Sequence, residues 1–247
     1  MRLLTDLSPV APARGLAIDE TLLESACRWG VETVRLWVNE SSIILGRSQS
    51  LSAEVHEDRA QALGIPILRR MSGGGTVVHY PGNLNVTVVL EKRVSLKNVS
   101  AVFAFFGSAL ARAMADVAPG ASARGNGLYI DGRKVGGAAQ ARRHQYILYH
   151  TTVMTAPPPI PMAQLLRALS PDYRPNSVAS RPRPVTSLSE QAGRRVKPED
   201  VSPPLVESVE QALGERLARE PWLSQEEAHA ASLASEKYGS DQWNRRL

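Results

Sequence analysis

The chain has 247 residues, of which 43% are hydrophobic and 21% charged, and its formal net charge is +5. This length allows one large domain or two small ones with a real core. No apolar run approaches the ~20 residues that a membrane-spanning helix needs. The N-terminus also lacks the apolar segment of a signal peptide. We therefore expect a cytoplasmic protein with no membrane partner.

Cysteine content and charge further limit the class of protein to which the chain can belong. The single cysteine, Cys27, excludes an internal disulfide and any multi-cysteine metal site. The basic residues are scattered as pairs rather than a stripe, and aromatic residues make up only 5%. We therefore expect no nucleic-acid partner, although a basic face could steer an acidic protein or a phosphate-bearing substrate.

The first half of the chain alternates helical and strand patterns. Helical spacing of apolar residues predicts an amphipathic helix over 16–27, with Cys27 at its end. Alternation predicts a half-buried strand at 33–38 and a neighbouring strand at 42–46, joined by a turn at 39–41. A polar helix over about 53–63, ended by Gly64, precedes strands at 65–70 and 84–90.

The second half begins with a long helix over 99–117, which has one broad apolar face. Three β segments follow at 127–130, 134–141 and 146–154, joined by Asp131-Gly132 and by residues 142–144. Asp-Gly between two β segments is a strong hairpin signal. A surface loop is predicted for 170–184, and helices near 205–220 and 224–237. We predict an α/β (α+β) fold whose central sheet is mixed, largely antiparallel and flanked by helices.

A glycine-rich loop at residues 69–85 is the most informative motif. It reads Arg-Arg-Met-Ser-Gly-Gly-Gly-Thr-Val-Val-His, followed by Tyr-Pro-Gly-Asn-Leu-Asn. Three glycines let backbone N–H groups approach an anion closely. An arginine fork suits phosphate or carboxylate oxygens. A triple glycine alone is more often a flexible loop, but the combination with arginines, serine and histidine predicts an anion-binding loop.

A second motif, at residues 126–140, places Lys134 after a hairpin turn and before a strand of small residues. Gly136, Gly137, Ala138 and Ala139 leave one strand face bare, where a ligand could lie against the backbone. Lys134 could then put a positive charge on a phosphate or carbonyl oxygen. Taken alone, an exposed hairpin lysine is the more common explanation.

Together these motifs resemble lipoate–protein ligase A, in the biotin/lipoate ligase family. The resemblance also includes His150, residues 16–20, 44–49 and 177–188, so it spans about 15–190. It implies a sheet like that of class II aminoacyl-tRNA synthetases and biotin ligases. We expect one catalytic domain over 1–247 and no C-terminal accessory domain, although many members of the family have one.

The resemblance assigns roles to particular positions. Lys134 would be catalytic, stabilising charge at the lipoyl carbonyl and the α-phosphate. Arg70 would bind the adenylate phosphate, while His79 and His150 order the loop and the sheet. Ser72 and Asn83 would hold the loop in place. The remaining substrate- and nucleotide-binding positions would be Gly73, Gly74, Gly75, Thr76, Val77, Val78, Gly137 and Ala138.

The resemblance further implies ATP, Mg²⁺ and lipoate as cofactors and substrates, with lipoyl-AMP as intermediate. The partner would be a lipoyl carrier: the lipoyl domain of a 2-oxoacid dehydrogenase or a glycine-cleavage H-type protein. A separate accessory-domain chain could also be required. The residues that would hold the metal are not identified by the sequence.

Three positions depart from the family pattern. Tyr80 stands where the family usually has Asp after the loop histidine, and Gly127 stands where it has Asp before the hairpin. Thr151 replaces the glycine that often follows His150. Fewer carboxylates mean fewer hard oxygen ligands for Mg²⁺, which bears on the activation step more than on adenylate binding.

Two alternatives to ATP-dependent ligation remain at this stage. An octanoyl- or lipoyl-transferase on the same fold would need a cysteine nucleophile near the active site, and Cys27 on the first helix is poorly suited. A non-catalytic protein that binds lipoyl-AMP or a lipoyl domain would have no need of Lys134. Biotin ligation is disfavoured because the glycine loop is of the lipoate type.

Overall fold

A large eight-stranded sheet forms the centre of the computed structural model, which describes residues 1–247 except for the side chain of Val94. Its strand order is β11-β1-β2-β6-β10-β9-β8-β7. The bounds are β1 Arg2–Val10, β2 Thr33–Asn39, β6 Asn83–Glu91, β7 Ala121–Arg124, β8 Gly127–Ile130, β9 Arg133–Arg143, β10 Tyr146–Met154 and β11 Ala218–Arg219. Only the β11-β1 and β1-β2 pairs are parallel. The predicted mixed, largely antiparallel sheet is confirmed.

A second, three-stranded sheet has the order β4-β3-β5, with bounds β3 Ser42–Leu45, β4 Ile67–Arg69 and β5 Val77–His79. The prediction that β3 neighbours β2 is wrong, because the turn after β2 carries the chain into this second sheet. The prediction that β2 is half-buried is also wrong. All seven of its residues are buried, because helices cover both faces of the large sheet at this point.

Helices pack on both faces of the large sheet. On one face lie α1 (Pro12–Trp29) and α7 (Ser224–Leu233), which pack against each other. The other face carries α4 (Val99–Ala115) and α6 (Pro198–Leu213), which are likewise paired. No helix among the described residues is both long and apolar enough to cross a membrane.

Several local expectations are confirmed and others are refined. The hairpin between β8 and β9 turns at Asp131 and Gly132, both with positive φ, as Asp-Gly predicts. The polar helix expected over 53–63 is instead two short helices, α2 (Leu51–Glu54) and α3 (Glu57–Ala62). The loop at 170–184 has no helix or strand, as expected.

The C-terminal region also differs in its boundaries. Helix α6 starts earlier than predicted, because Lys197 and Asp200 begin it and Pro198 suits a first helical turn. After α7 the chain continues through a π-helical segment, Ala234–Tyr238, into α8 (Asp241–Asn244). Strand β1 was not predicted, because its residues 5–10 include polar side chains and are at least partly exposed.

Candidate active site

A pocket of about 760 Å³ opens between the two sheets. Its walls come from the glycine loop and β5, from β6, β9 and β10 of the large sheet, and from the loop at 178–183. Four cations line it: Arg70, Lys134, Arg181 and Arg183. Among the described lining residues, none is Asp or Glu. The pocket is therefore suited to an anionic ligand, with a volume in the ordinary range for small-molecule sites.

Arg70 organises the glycine loop from within. Its Nη2 donates to the carbonyl oxygens of Gly73 (2.6 Å) and Gly75 (2.8 Å), and its Nη1 donates to that of Ile44 (3.2 Å). Its Nε donates to Ser72 Oγ at 3.0 Å. Four of the five guanidinium N–H groups are thus engaged inside the protein. Burial lowers the pKa of Arg70 to about 10, so the group stays charged at neutral pH.

A chain of hydrogen bonds continues from this loop to helix α1. Ser72 Oγ donates to His150 Nε2 at 2.6 Å, and His150 Nδ1 donates to Asp19 Oδ2 at 2.9 Å. Asp19 in turn pairs with the fully buried Arg35 at 3.0 Å. The two ring nitrogens of His150 thus bond to different partners, Nδ1 to the Asp19 carboxylate and Nε2 to Ser72 Oγ. His150 therefore links the glycine loop to the sheet.

His79 lies at the buried end of β5 and lines the same pocket. Its Nδ1 accepts from Asn39 Nδ2 at 3.1 Å, which leaves the proton on Nε2. Burial, with help from Arg70, lowers the pKa of His79 to about 3. His79 is thus neutral at physiological pH.

Lys134 differs from Arg70 because its ammonium is not engaged by hydrogen bonds to the loop carbonyls or by an ion pair among the described residues. Burial and nearby Arg183 lower the pKa of its ammonium, and among the described residues no carboxylate opposes this shift. A Cβ built on Gly137 would lie 3.0 Å from Lys134 Nζ. Gly136, Gly137, Ala138 and Ala139 all line the pocket, and Gly137 in addition makes room for the Lys134 side chain. Gly136 is needed for another reason, since its Cβ would lie 2.1 Å from the Thr152 carbonyl oxygen.

Arg69, next to Arg70, faces away from the pocket. It is fully buried and donates to the backbone oxygens of Gly46 (3.1 Å), Gln49 (2.6 Å) and Asn244 (3.0 Å). Asn244 Oδ1 also accepts from the Arg69 backbone N–H at 2.9 Å. Arg69 therefore binds the C-terminal segment to the base of the loop.

Two of the three positions that depart from the family pattern involve tyrosine rings. Tyr80 is buried outside the pocket lining, and its hydroxyl donates to the Ala156 carbonyl at 2.7 Å. A Cβ on Gly127 would meet the Tyr129 ring at 2.5–2.7 Å. Glycine at 127 thus gives space to Tyr129, which lines the pocket.

The structure brings nearly all the predicted site residues together. Twelve of the fourteen line the pocket: Lys134, Arg70, Gly74, Gly75, Thr76, Val77, Val78, His79, Asn83, Gly137, Ala138 and His150. Ser72 lies just beneath the lining, bonded to Arg70 and His150, while Gly73 is exposed at the loop tip. The Asn83 side-chain oxygen has no partner among the described residues, so Asn83 fixes the turn through its backbone N–H to Tyr80.

Sequence reasoning missed several residues of this site. Asp19, Gln49, Glu54 and Ser180 have polar side chains that contact or support the pocket walls. Asp19, Gln49 and Ser180 lie in segments that carry the resemblance, but no local pattern assigned a role to any of these four side chains. Their partners in these bonds are 22 to 131 positions away.

The described residues that line this pocket provide neither a cysteine nucleophile nor a set of metal ligands. Cys27 is not among the lining residues, and burial raises the pKa of its thiol. No group of three or more His, Cys, Asp or Glu side chains in the described chain is placed to hold a metal ion. The side chains present therefore do not fit a protein-held Mg²⁺.

The fold and the site define a protein with a cation-lined pocket between a glycine loop and a lysine-bearing hairpin. The sequence model of the lipoyl protein ligase A/B catalytic domain matches residues 11–210. A lipoate-protein ligase A-type protein from Aeropyrum pernix is 32% identical over 206 residues, which cover 83% of this chain and 77% of that one. The chain belongs to the lipoyl protein ligase A/B family.

Other relatives in this family carry out different reactions. An octanoyltransferase, LipM, from Symbiobacterium thermophilum is 27% identical over 94% of this chain and 93% of its own length. Family membership therefore indicates an enzyme of lipoyl or octanoyl transfer without choosing between ligase and transferase.

Solved structures agree with the fold. A lipoate protein ligase from Thermoplasma acidophilum with bound lipoic acid superposes with a TM-score of 0.83 at 23% identity, covering 99% of this chain and 98% of that one. The archaeal bi-partite ligase, described with its E2 lipoyl domain, gives a TM-score of 0.82 at 23% identity, covering 99% and 95%. A lipoate-protein ligase A bound with ATP gives 0.82 at 23% identity over 99% of each chain. At these identities the likeness establishes the fold.

Proposed function

We propose that this protein is an ATP-dependent lipoate–protein ligase. The single observation that carries the proposal is the Lys134 ammonium, held over Gly137 at a cation-lined face of the pocket with no carboxylate to neutralise it. An ammonium without a carboxylate partner can stabilise the negative charge of a bound ligand. Such charge develops in the transition state of acyl-phosphate chemistry.

In the first half-reaction, the carboxylate oxygen of lipoate attacks the α-phosphorus of ATP and pyrophosphate leaves. Lys134 would stabilise the charge on the α-phosphate oxygens, and the mixed anhydride lipoyl-AMP would stay in the pocket. In the second, the neutral amine of the carrier lysine attacks the lipoyl carbonyl, AMP leaves, and an amide forms. The same lysine stabilises the carbonyl oxygen and the departing phosphate.

The glycine loop has a different part in this proposal. Because Arg70 is engaged by Gly73, Gly75 and Ser72, its main role is to fix the loop so that its backbone N–H groups face the ligand. One guanidinium N–H remains for the phosphate. Mg²⁺ would enter bound to the phosphates of ATP, since no protein carboxylate in the pocket lining is placed to hold it.

The acceptor would be the lysine of a lipoyl domain, and lipoate or a medium-chain analogue the acyl group. The proteins named above support this, since one was solved with lipoic acid, one with ATP and one with its E2 lipoyl domain. An accessory chain for activation is part of the same proposal, since the family includes a bi-partite ligase. We also propose that residues 1–247 act as one catalytic unit in the cytoplasm.

A second candidate, transfer from a preformed acyl donor without ATP, is favoured by the absence of carboxylates in the described pocket lining. It would need no Mg²⁺ at all. The position of Cys27 outside that lining counts against a covalent thioester route, so direct transfer between carriers would be the remaining form.

The test uses the intact mass of a lipoyl domain after incubation with the protein in three tubes. The first contains lipoate, ATP and Mg²⁺, the second preformed lipoyl-AMP, and the third an acylated carrier without ATP. Modification in the first two tubes supports the ligase, and in the second alone supports a ligase that needs an activation partner. Modification in the third alone would establish the transferase and overturn the ligase. Lys134→Ala is the control in every tube.

A further inference from the structure

A buried carboxylate outside the pocket lining joins two adjoining segments of the pocket wall. Glu54, at the end of α2, has no exposed surface. Its Oε2 accepts from Ser180 Oγ at 2.5 Å and from Thr76 Oγ1 at 3.2 Å. Its Oε1 accepts from the Tyr173 hydroxyl and, at 3.4 Å, from the Ser180 backbone N–H. Thr76 belongs to the glycine loop, whereas Tyr173 and Ser180 belong to the loop at 170–184.

The donors around Glu54 also bond to one another. Ser180 Oγ accepts from the Thr76 backbone N–H at 3.0 Å, and the Tyr173 hydroxyl accepts from the Ser180 N–H at 3.0 Å. The pKa of Tyr173 is raised to about 12 by burial and by Glu54, so the phenol keeps the proton that it donates. We call this set, Glu54, Thr76, Tyr173 and Ser180, the Glu54 latch.

Gln49 reinforces the latch from the same segment. Its Nε2 donates to the Val178 carbonyl and to Ser180 Oγ, both at 3.1 Å. Its Oε1 accepts from Thr76 Oγ1 at 3.0 Å. The Ser50 N–H also donates to Ser177 Oγ at 2.8 Å. The short stretch from Gln49 to Glu54 thus holds both loops at once.

The loop held in this way forms one complete wall of the pocket. Residues 178–183 all line it and adjoin the glycine loop, where the Thr76 backbone N–H bonds to Ser180 Oγ. The loop at 170–184 has no helix or strand of its own. Its position over the pocket therefore depends on side-chain contacts, of which the latch supplies a large share.

A buried carboxylate is poorly suited to permanent stabilisation, because its desolvation opposes the hydrogen bonds it accepts. If the loop moves away, water replaces the lost donors, so each bond contributes little net free energy. A latch of this kind can close over a ligand and open again within a catalytic cycle.

On this basis we propose that Glu54 is a positioning residue, which keeps the loop at 170–184 closed over the pocket so that the acyl-adenylate is retained between activation and transfer. This inference rests on the proposed function. In an open pocket, the mixed anhydride would leave and react with water to give free lipoate and AMP. ATP would then be consumed without carrier modification.

The first test is hydrogen exchange of the amides in residues 170–184, which requires no substrate. The change is Glu54→Gln, which keeps the size but puts an amide N–H₂ group against hydroxyl and N–H donors. We expect exchange in this loop to be about tenfold faster than in the wild type. Ser180→Ala should give a similar increase because it removes the strongest donor. Unchanged exchange in both variants would overturn the proposal.

The matched control is Glu226→Gln. Glu226, in helix α7, is also fully buried, but its carboxylate forms an ion pair with Arg2 at 2.7 Å. That variant should lose thermal stability without faster exchange in 170–184. If both glutamate variants increase the rate of hydrogen exchange in 170–184 equally, Glu54 acts only through the general stability of the protein, and the latch is rejected.

The second test measures AMP released for each carrier lysine modified. The ratio should be near one in the wild type and at least about twofold higher in Glu54→Gln, since a leaking adenylate wastes ATP. A variant with slower turnover but an unchanged ratio would contradict retention of the adenylate. If the wild type shows no ATP-dependent modification, the proposed function fails, while the exchange experiment still decides whether the latch exists.

Discussion

Two cationic regions face each other across the pocket, and they differ in how their charges are satisfied. The glycine loop contains Arg70, whose guanidinium is almost completely engaged by loop carbonyls and by Ser72. The β8–β9 hairpin contains Lys134, whose ammonium has no opposing carboxylate among the described residues. The Arg70 charge holds the glycine loop in place, whereas the Lys134 charge is available to a ligand.

The comparison shows why an arginine and a lysine suit these two places. A planar guanidinium with five donors can bond to several carbonyls at once and fix a glycine-rich loop. A lysine is a flexible point charge that can follow a phosphate or a carbonyl oxygen as charge develops. Substitutions on the two sides should therefore affect different quantities: stability on the glycine-loop side, and turnover on the hairpin side.

The largest expected effect is on stability, from Asp19→Ala on the glycine-loop side. The change leaves Arg35 buried without its carboxylate and removes the acceptor for His150. We expect a loss of about 3–5 kcal/mol in the free energy of unfolding, measured by urea denaturation. Arg35→Met with Asp19→Leu should recover much of the loss, and a stable single variant would contradict the buried-pair account.

Lys134→Ala should affect activity instead. Its ammonium makes no ion pair that the fold depends on, so the midpoint of thermal unfolding should stay within a few degrees. Carrier modification should fall about 10²–10³-fold, the usual consequence of losing one electrostatic stabiliser. The intact mass of the carrier over time measures this. Retained activity would remove Lys134 from the proposed mechanism.

Substitutions of two adjacent glycines on β9 should separate an effect on activity from an effect on stability. Gly137→Ala places a methyl group 3.0 Å from Lys134 Nζ, the movable end of a side chain. Activity should fall about tenfold with little change in stability. Gly136→Ala instead meets the Thr152 carbonyl at 2.1 Å and should destabilise the sheet. Equal effects on stability would show that Gly137 is also a packing residue.

The acid sensitivity of stability should report on His79. Its pKa in the folded protein, about 3, lies below the ordinary value of 6.5, so the unfolded state binds the proton more readily. Stability is therefore complete above pH 6.5 and is lost as the pH falls toward 3. We expect His79 to account for a loss of about 1 kcal/mol between pH 7 and pH 5.5. His79→Gln should flatten this part of the pH profile in urea titrations.

Cys27→Ser should have the smallest effect. The thiol lies outside the pocket lining, and its one polar contact is with the Arg143 carbonyl at 3.6 Å. Carrier modification should remain within about twofold of the wild type, because the proposed adenylate chemistry uses no thiol. A complete loss of activity without loss of structure would favour an acyl-thioester route instead.

Much of the site could be predicted from sequence, because its main motifs are contiguous. Three consecutive glycines and an Asp-Gly turn carry their backbone requirements locally, so the glycine loop and the hairpin could be identified. The purpose of Gly137 could not be predicted, since it depends on where the Lys134 side chain folds back. The resemblance identified Arg70 alone as a site residue, but the role of Arg69 could not be predicted, because its partner Asn244 is 175 positions away.

The sequence by itself determined the family, the largely antiparallel sheet with outer helices, and twelve of the pocket-lining residues. Each of these follows from local periodicity or from contiguous motifs. Only the tertiary structure decided that β3 leaves the large sheet, that Asp19 supports His150, and that Glu54 joins two loops. Those features depend on side chains brought together from distant positions, and no local pattern in a single sequence records which buried polar groups will meet.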